Sequence, residues 1–176
     1  MTTNPKLPND VLLRPLTVDD ADELAPLNDA ATPAVPVTAA AELARLISIA
    51  TLPLGLERNG RLVGFVLALG PGADYNSENY RFFEERGVPS MYVDRIVIAE
   101  SVRGSGLGQV LYAAVFDAAR AHGFDDVTCE VNLDPPNPGS LAFHTRLGFR
   151  AVGEQETKGG AVTVTLLAAP ASEPRP

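Results

Sequence analysis

The chain contains no tryptophan, one cysteine, two histidines and no apolar run near the roughly 20 residues a membrane-spanning helix needs. A single cysteine excludes an internal disulfide framework and fits a reducing interior. With Cys and His so scarce, no cluster has the spacing of a metal site. Positive charge is also in short supply. Fourteen Lys and Arg stand against 22 Asp and Glu, for a formal charge of −8. That balance argues against a nucleic-acid surface and suits cationic or neutral acceptors, although colloidal solubility explains it equally well. The opening "MTTNPKLPND" has no apolar signal core. These absences give the expectation of a cytoplasmic protein with no membrane, nucleic-acid or metal partner.

What is present suits one ordinary domain: 176 residues, 45% of them apolar. "DVLLRPL" reads as a first strand. Thr17 with Asp20 three residues on has the spacing of a capping box, opening a helix that carries Leu24 and Leu27 inward. "TAAAELARLISIA" repeats the helical period through Leu43, Leu46 and Ile47. Two apolar segments flank Asn59-Gly60, the strongest short hairpin signal, and so predict an antiparallel pair. "GPGADYNSENYRFFEERGVPS" is polar, aromatic and long for a connection, which makes it either a functional loop or a solvated insertion. Beyond it come a β-branched strand, "MYVDRIVIAE", a glycine-rich loop, a helix to about His122 with Gly123 at its C-cap, and the strand "DVTCEVNL". Strand, helix and strand within about 40 residues make a βαβ unit, with parallel strands and a right-handed crossover. After the break "DPPNPG", "SLAFHTRLGF" reads as a short helix, and "RAVGEQETKGGAVTVTLLA" as a hairpin about Lys158-Gly159-Gly160.

The loop "SVRGSGLGQV" places three glycines in five positions just before a helix. So much bare backbone suits peptide N–H groups turned onto an anion at a positive helix terminus, whereas an ordinary strand-to-helix turn needs one glycine or none. Two familiar phosphate loops are ruled out. A dinucleotide fingerprint requires a glycine where Gln109 stands and belongs to a first βα turn, and a P-loop requires Gly-Lys-Ser/Thr at its end. What remains, Arg103 through Gly108, resembles the acyl-coenzyme-A signature of the GNAT superfamily of N-acetyltransferases. "NPGSLAFHTRLGF" resembles that superfamily's second signature, and the likeness runs from about Leu12 to Leu167.

The resemblance implies an α/β (α+β) fold: a mixed, mostly antiparallel sheet of six to seven strands, helices on both faces, and the parallel βαβ unit at the cofactor site. Residues 11–168 would form the acetyltransferase domain, between a flexible N-terminus (1–10) and a disordered tail (169–176). Acetyl-CoA would be the cosubstrate, with no metal. The backbone N–H groups of Gly104, Ser105, Gly106, Leu107 and Gly108 would meet its pyrophosphate, with Arg103 positioning the loop or the phosphates, and the strand edge at Ile96, Val97 and Ile98 would meet its pantetheine. A backbone N–H near Ile98 would polarise the thioester carbonyl, an oxyanion device needing no particular side chain. Asn137 and Ser140 open the second signature and are expected at the cofactor, with helix capping as the alternative for Asn137.

Direct attack by a neutral amine needs a proton acceptor and a proton for the departing thiolate. Asp94 and Glu130 are the base candidates, each with a solvated carboxylate or an ion pair as the alternative. His144 stands where superfamily members often carry a tyrosine acid; it either protonates the thiolate or merely packs or caps on its helix. Cys129, alone in an apolar strand, reads as core rather than as an acyl carrier. Tyr75, Asn76, Asn79 and Tyr80 of the long polar segment are expected at the acceptor site. The expected partner is a small-molecule or peptide amine, with a homodimer admitted. The rival reading is a catalytically inactive acetyl-CoA sensor or interaction module with the same loop.

Overall fold

A computed structural model describes residues 6–172. In chain order these form β1 (Val11–Pro15), α1 (Ala21–Asp29), α2 (Ala40–Ile49), β2 (Leu52–Arg58), β3 (Arg61–Leu69), α3 (Glu78–Glu85), β4 (Ser90–Ile98), α4 (Leu107–Ala121), β5 (Asp126–Asp134), α5 (Pro138–Arg146), β6 (Arg150–Thr157) and β7 (Val162–Pro170). The strands follow the order β1-β2-β3-β4-β5-β7-β6. The pairs β1–β2, β2–β3, β5–β7 and β6–β7 are antiparallel, and β4–β5 is parallel. This is the mixed, mostly antiparallel α/β architecture that the sequence predicts, with the parallel pair across the expected βαβ unit. The described chain divides into two compact units, one running to Leu69 and resuming at Val93–Val115, the other made of Gly70–Tyr92 and the chain from Phe116 onward.

In the first unit the predicted local signals are realised. Thr17 donates its backbone N–H to Asp20 Oδ2 (2.7 Å), and Arg14 clamps the same region, reaching Asp20 (2.8 Å) and Glu57 (2.7 Å). That guanidinium holds the Asp20 carboxyl below the usual carboxylate range. Asn59 and Gly60 both adopt positive φ, 53° and 73°, the geometry of a two-residue turn matching the twist of β2 and β3. Leu24, Leu43, Leu46, Leu56 and Phe65 are buried to 1% exposure or less. Side chains of this kind stabilise by roughly 1.5–3 kcal/mol each when fully removed from water. At Gly64 a Cβ would lie 2.9 Å from the Val97 carbonyl oxygen, so β3 approaches the last residues of β4 more closely than a side chain permits.

The second unit is organised on β5. The parallel register pairs Ser90, Met91 and Tyr92 with Asp126, Val127 and Thr128, and β7 pairs antiparallel along β5 through Asp134. The β6–β7 turn follows the predicted triplet, with positive φ at Lys158, Gly159 and Gly160. α3 lies inside the segment read from sequence as a loop. Ser77 caps it by accepting from the Tyr80 N–H, and Tyr80 and Phe83, three residues apart, bury one face. That spacing spans a single helical turn, too short for periodicity to separate it from a loop. β7 runs to Pro170, beyond the predicted boundary at 168, and Ala171 is buried, its N–H donating to Asp125. Of the segments read as flexible, residues 1–5 and 173–176 lie outside the described residues.

Candidate active site

In the first unit, residues from Asp94 onward in β4 alternate. Asp94, Ile96 and Ile98 are half-buried, while Arg95 and Val97 face the interior. Arg95 is 6% exposed, and its guanidinium donates to Asp94 Oδ2 (2.8 Å), Asn28 Oδ1 (2.9 Å) and Thr38 Oγ1 (3.0 Å). A buried cation demands such partners, so Asp94 serves here as its counter-ion.

After β4 the backbone turns through Ala99, whose N–H donates to Val63, and enters the glycine loop. Gly104 and Gly106 adopt φ of 77° and 82°, a region that other L-residues enter only under strain. Gly108 is already helical, within the first turn of α4. Left-handed residues alternating with others are the backbone pattern in which anion-binding concavities are built, and here it stands next to the positive end of α4. A Cβ on Gly104 would meet nothing within 4 Å, and one on Gly106 only Gln109 Oε1 at 3.7 Å, so backbone conformation rather than crowding calls for glycine at both. Arg103 spends its Nε on the Ile98 carbonyl (3.2 Å), and Ser105 its hydroxyl on the Val102 carbonyl (2.5 Å); both shape the loop. The Leu107 side chain is buried at 1% exposure, leaving its backbone as the part able to meet a ligand.

In the second unit, Asn137 accepts from the Ser140 N–H (3.2 Å) and Pro138 occupies the first turn, so Asn137 takes the capping role of its two sequence readings. One turn on, His144 is 4% exposed, edge-on to Phe143 and Phe149 at centroid distances of 5.4 and 5.3 Å. Its Nδ1 lies 2.7 Å from the Ser140 carbonyl oxygen. A carbonyl only accepts, so Nδ1 carries the proton and Nε2 of the neutral ring carries none. Burial pushes the imidazole below its ordinary value, which favours that neutral form. Burial, the two aromatic edges and the bond to its own helix backbone are the surroundings that the packing alternative describes.

Glu130, half-buried on β5, accepts a hydrogen bond from the Tyr92 hydroxyl (3.1 Å). Sequence reasoning passed over Tyr92. Its signal lies in the register: Tyr92 pairs with Thr128, and Glu130 is two residues further on the same face of β5. The expected acceptor residues divide. Tyr80 is 4% exposed, its hydroxyl donating to the Gly70 carbonyl (2.8 Å) and accepting from the Ala73 N–H (2.9 Å), with burial pushing it above its ordinary value. It holds the loop rather than facing a substrate. Asn79 accepts from Gln155 (2.8 Å), Tyr75 is half-buried against Tyr80 (5.8 Å), and Asn76 is exposed. Cys129 is core. Among the described residues no helix is long and apolar enough to cross a membrane, and no group of three or more His, Cys, Asp or Glu side chains is placed to hold a metal ion.

The model of the acetyltransferase (GNAT) family matches residues 24–149. A phosphinothricin N-acetyltransferase of Streptomyces coelicolor is 36% identical over 64 residues. The match takes in 36% of each chain, so this chain spans about a third of the length of that curated relative. The crystal structure of Ard1 from Thermoplasma volcanium superposes with a TM-score of 0.74 at 15% identity, covering 93% of this chain and 99% of that one. A putative acetyltransferase from Salmonella typhimurium, solved with its cofactor acetyl-CoA, does so with a TM-score of 0.69 at 18% identity, covering 96% and 98%. These structures share the fold. With the family model matching well over half its length, on the strands, glycine loop and helices just described, the chain belongs to the GNAT family of acetyl-CoA-dependent acetyltransferases.

Proposed function

We propose that this chain transfers the acetyl group of acetyl-CoA to a primary amine of a small molecule or peptide by direct attack. The observation that carries the reading is the Arg103 to Gly108 loop, with its left-handed Gly104 and Gly106 beside the start of α4. The pyrophosphate of coenzyme A fits that cradle by charge. The β4 backbone at Ile96 to Ile98 suits the amide-bearing pantetheine arm, and an N–H there would stabilise the oxyanion that develops on the thioester carbonyl.

Of the two carboxylates, Glu130 is assigned as the base. Protonating Asp94 would strip a buried guanidinium of its counter-ion, a loss that typically costs about 3–5 kcal/mol. Glu130 accepts from the Tyr92 hydroxyl, a bond that leaves its carboxylate beyond the last paired residue of that register. The neutral amine attacks the carbonyl carbon, its surplus proton passes to Glu130, and the C–S bond breaks with its electron pair leaving on sulfur. A thiol of ordinary pKa, about 8.5, leaves readily as thiolate and takes its proton from water, so no side-chain acid is assigned. Tyr75 and Asn76 remain the acceptor-facing candidates of the α3 segment.

The test is an acceptor screen reading free thiol from acetyl-CoA, with the products identified by mass spectrometry. The panel holds amino acids, phosphinothricin among them because of the relative's activity, together with polyamines, aminoglycosides and peptides with free N-termini. Acetylation of at least one amine is expected. Acetyl-CoA binding without thiol release across the panel would refute the transferase reading and leave the inactive binding module.

A further inference from the structure

We propose that Tyr92 is a positioning residue for the transfer, holding the Glu130 carboxylate by one hydrogen bond; this rests on the assignment of Glu130 as the base. The Tyr92 ring is 1% exposed and fixed on two sides, by Tyr80 (5.5 Å, 61°) and by Phe83 (5.7 Å, 40°), both of α3. A ring so confined gives its hydroxyl a single location, and from there it donates to Glu130 Oε1 at 3.1 Å. Side-chain bonds step along this part of β4 and β5: the Ser90 and Thr128 hydroxyls are 3.3 Å apart, and the Tyr92–Glu130 bond comes next. The backbone register ends at Tyr92 and Thr128, so Glu130 lies beyond the last paired residue of β5 on the β4 side. A glutamate there has several rotamers, and a hydroxyl held in place by its buried ring favours those within its reach. Orientation of a reacting group governs rate, because misplacement by about 1 Å can cost 10²-fold.

Tyr92→Phe keeps the ring and removes only the donor. It is compared with the parent in thiol release from acetyl-CoA, using the fastest amine of the panel above, alone and combined with Glu130→Gln. Expected is a fall in kcat of about tenfold or more, with an unchanged KM for acetyl-CoA and little change in melting temperature. In the Glu130→Gln background the same substitution should have no further effect, since it acts through the carboxylate. A merely structural tyrosine would lower both backgrounds alike, or neither, and either result overturns the proposal while leaving Glu130 as base. Parental turnover by Glu130→Gln alone, or silence across the panel, overturns the base assignment and this inference with it.

Discussion

Replacing His144 by phenylalanine tests at once the protonation state of the ring and its part in the chemistry. In the native protein the imidazole is buried, donates from Nδ1 to the Ser140 carbonyl and is held below its ordinary value of 6.5. The folded state therefore resists protonation while the unfolded chain accepts it. Stability is then full above about pH 6.5 and declines as the pH falls below that value, until the folded ring itself titrates. Between pH 7.5 and 5.5 the loss has an upper limit of about 1.4 kcal/mol, set by titration of the unfolded ring alone. For a chain of this size that corresponds to about 3–6 °C in melting temperature. His144→Phe should lack this component, so its melting temperature should fall less than the parent's over the same interval, measured by circular dichroism in matched buffers. Because the neutral ring has no proton on Nε2, turnover at pH 7.5 should stay within about tenfold of the parent, whereas a general acid contributes 10²–10⁴-fold. Parallel pH profiles of the two proteins would refute the neutral buried ring. A loss beyond 10²-fold in turnover, with the fold intact, would restore His144 as the acid.

Asp94→Asn should destabilise by about 3–5 kcal/mol, because it leaves the Arg95 guanidinium buried without its counter-ion; Asp94→Asn combined with Arg95→Met should recover much of that in urea unfolding. An Asp94→Asn protein of parental stability would remove the objection to Asp94 as base. Gly108 lies inside α4, where a side chain needs no unusual φ, so Gly108→Val tests the approach of phosphate without straining the loop. Calorimetry should show acetyl-CoA affinity weakened by tenfold or more at roughly unchanged melting temperature, and parental affinity would move the cofactor away from this loop. The same substitution at Gly106 cannot separate the two causes, because its φ of 82° already excludes a β-branched residue.

Where the determinant was local, the sequence alone was enough. Asn59-Gly60 and Lys158-Gly159-Gly160 require left-handed backbone, so both hairpins were readable from residue type, and the glycines at 104 and 106 marked a turn that no other residue enters without strain. The period of Leu43, Leu46 and Ile47 likewise announced α2, since burying one stripe is a property of the segment itself. The family resemblance rested on these same short signals in their proper order. What the tertiary structure decided was which polar groups share a partner. Asp94 and Glu130 looked equivalent as acidic residues in neighbouring strands. One is spent on Arg95, its neighbour in sequence, whose burial against Asn28 and Thr38 only the packing shows; the other accepts from Tyr92, a partner that only the strand register brings near. His144 was legible as a titratable group at a telling position, but its tautomer follows from the Ser140 carbonyl and its charge from the aromatic rings around it. Burial and hydrogen-bond partners are properties of the packed chain. Residue type therefore specified the glycine loop, and only packing decided the partners of the acidic and histidine side chains.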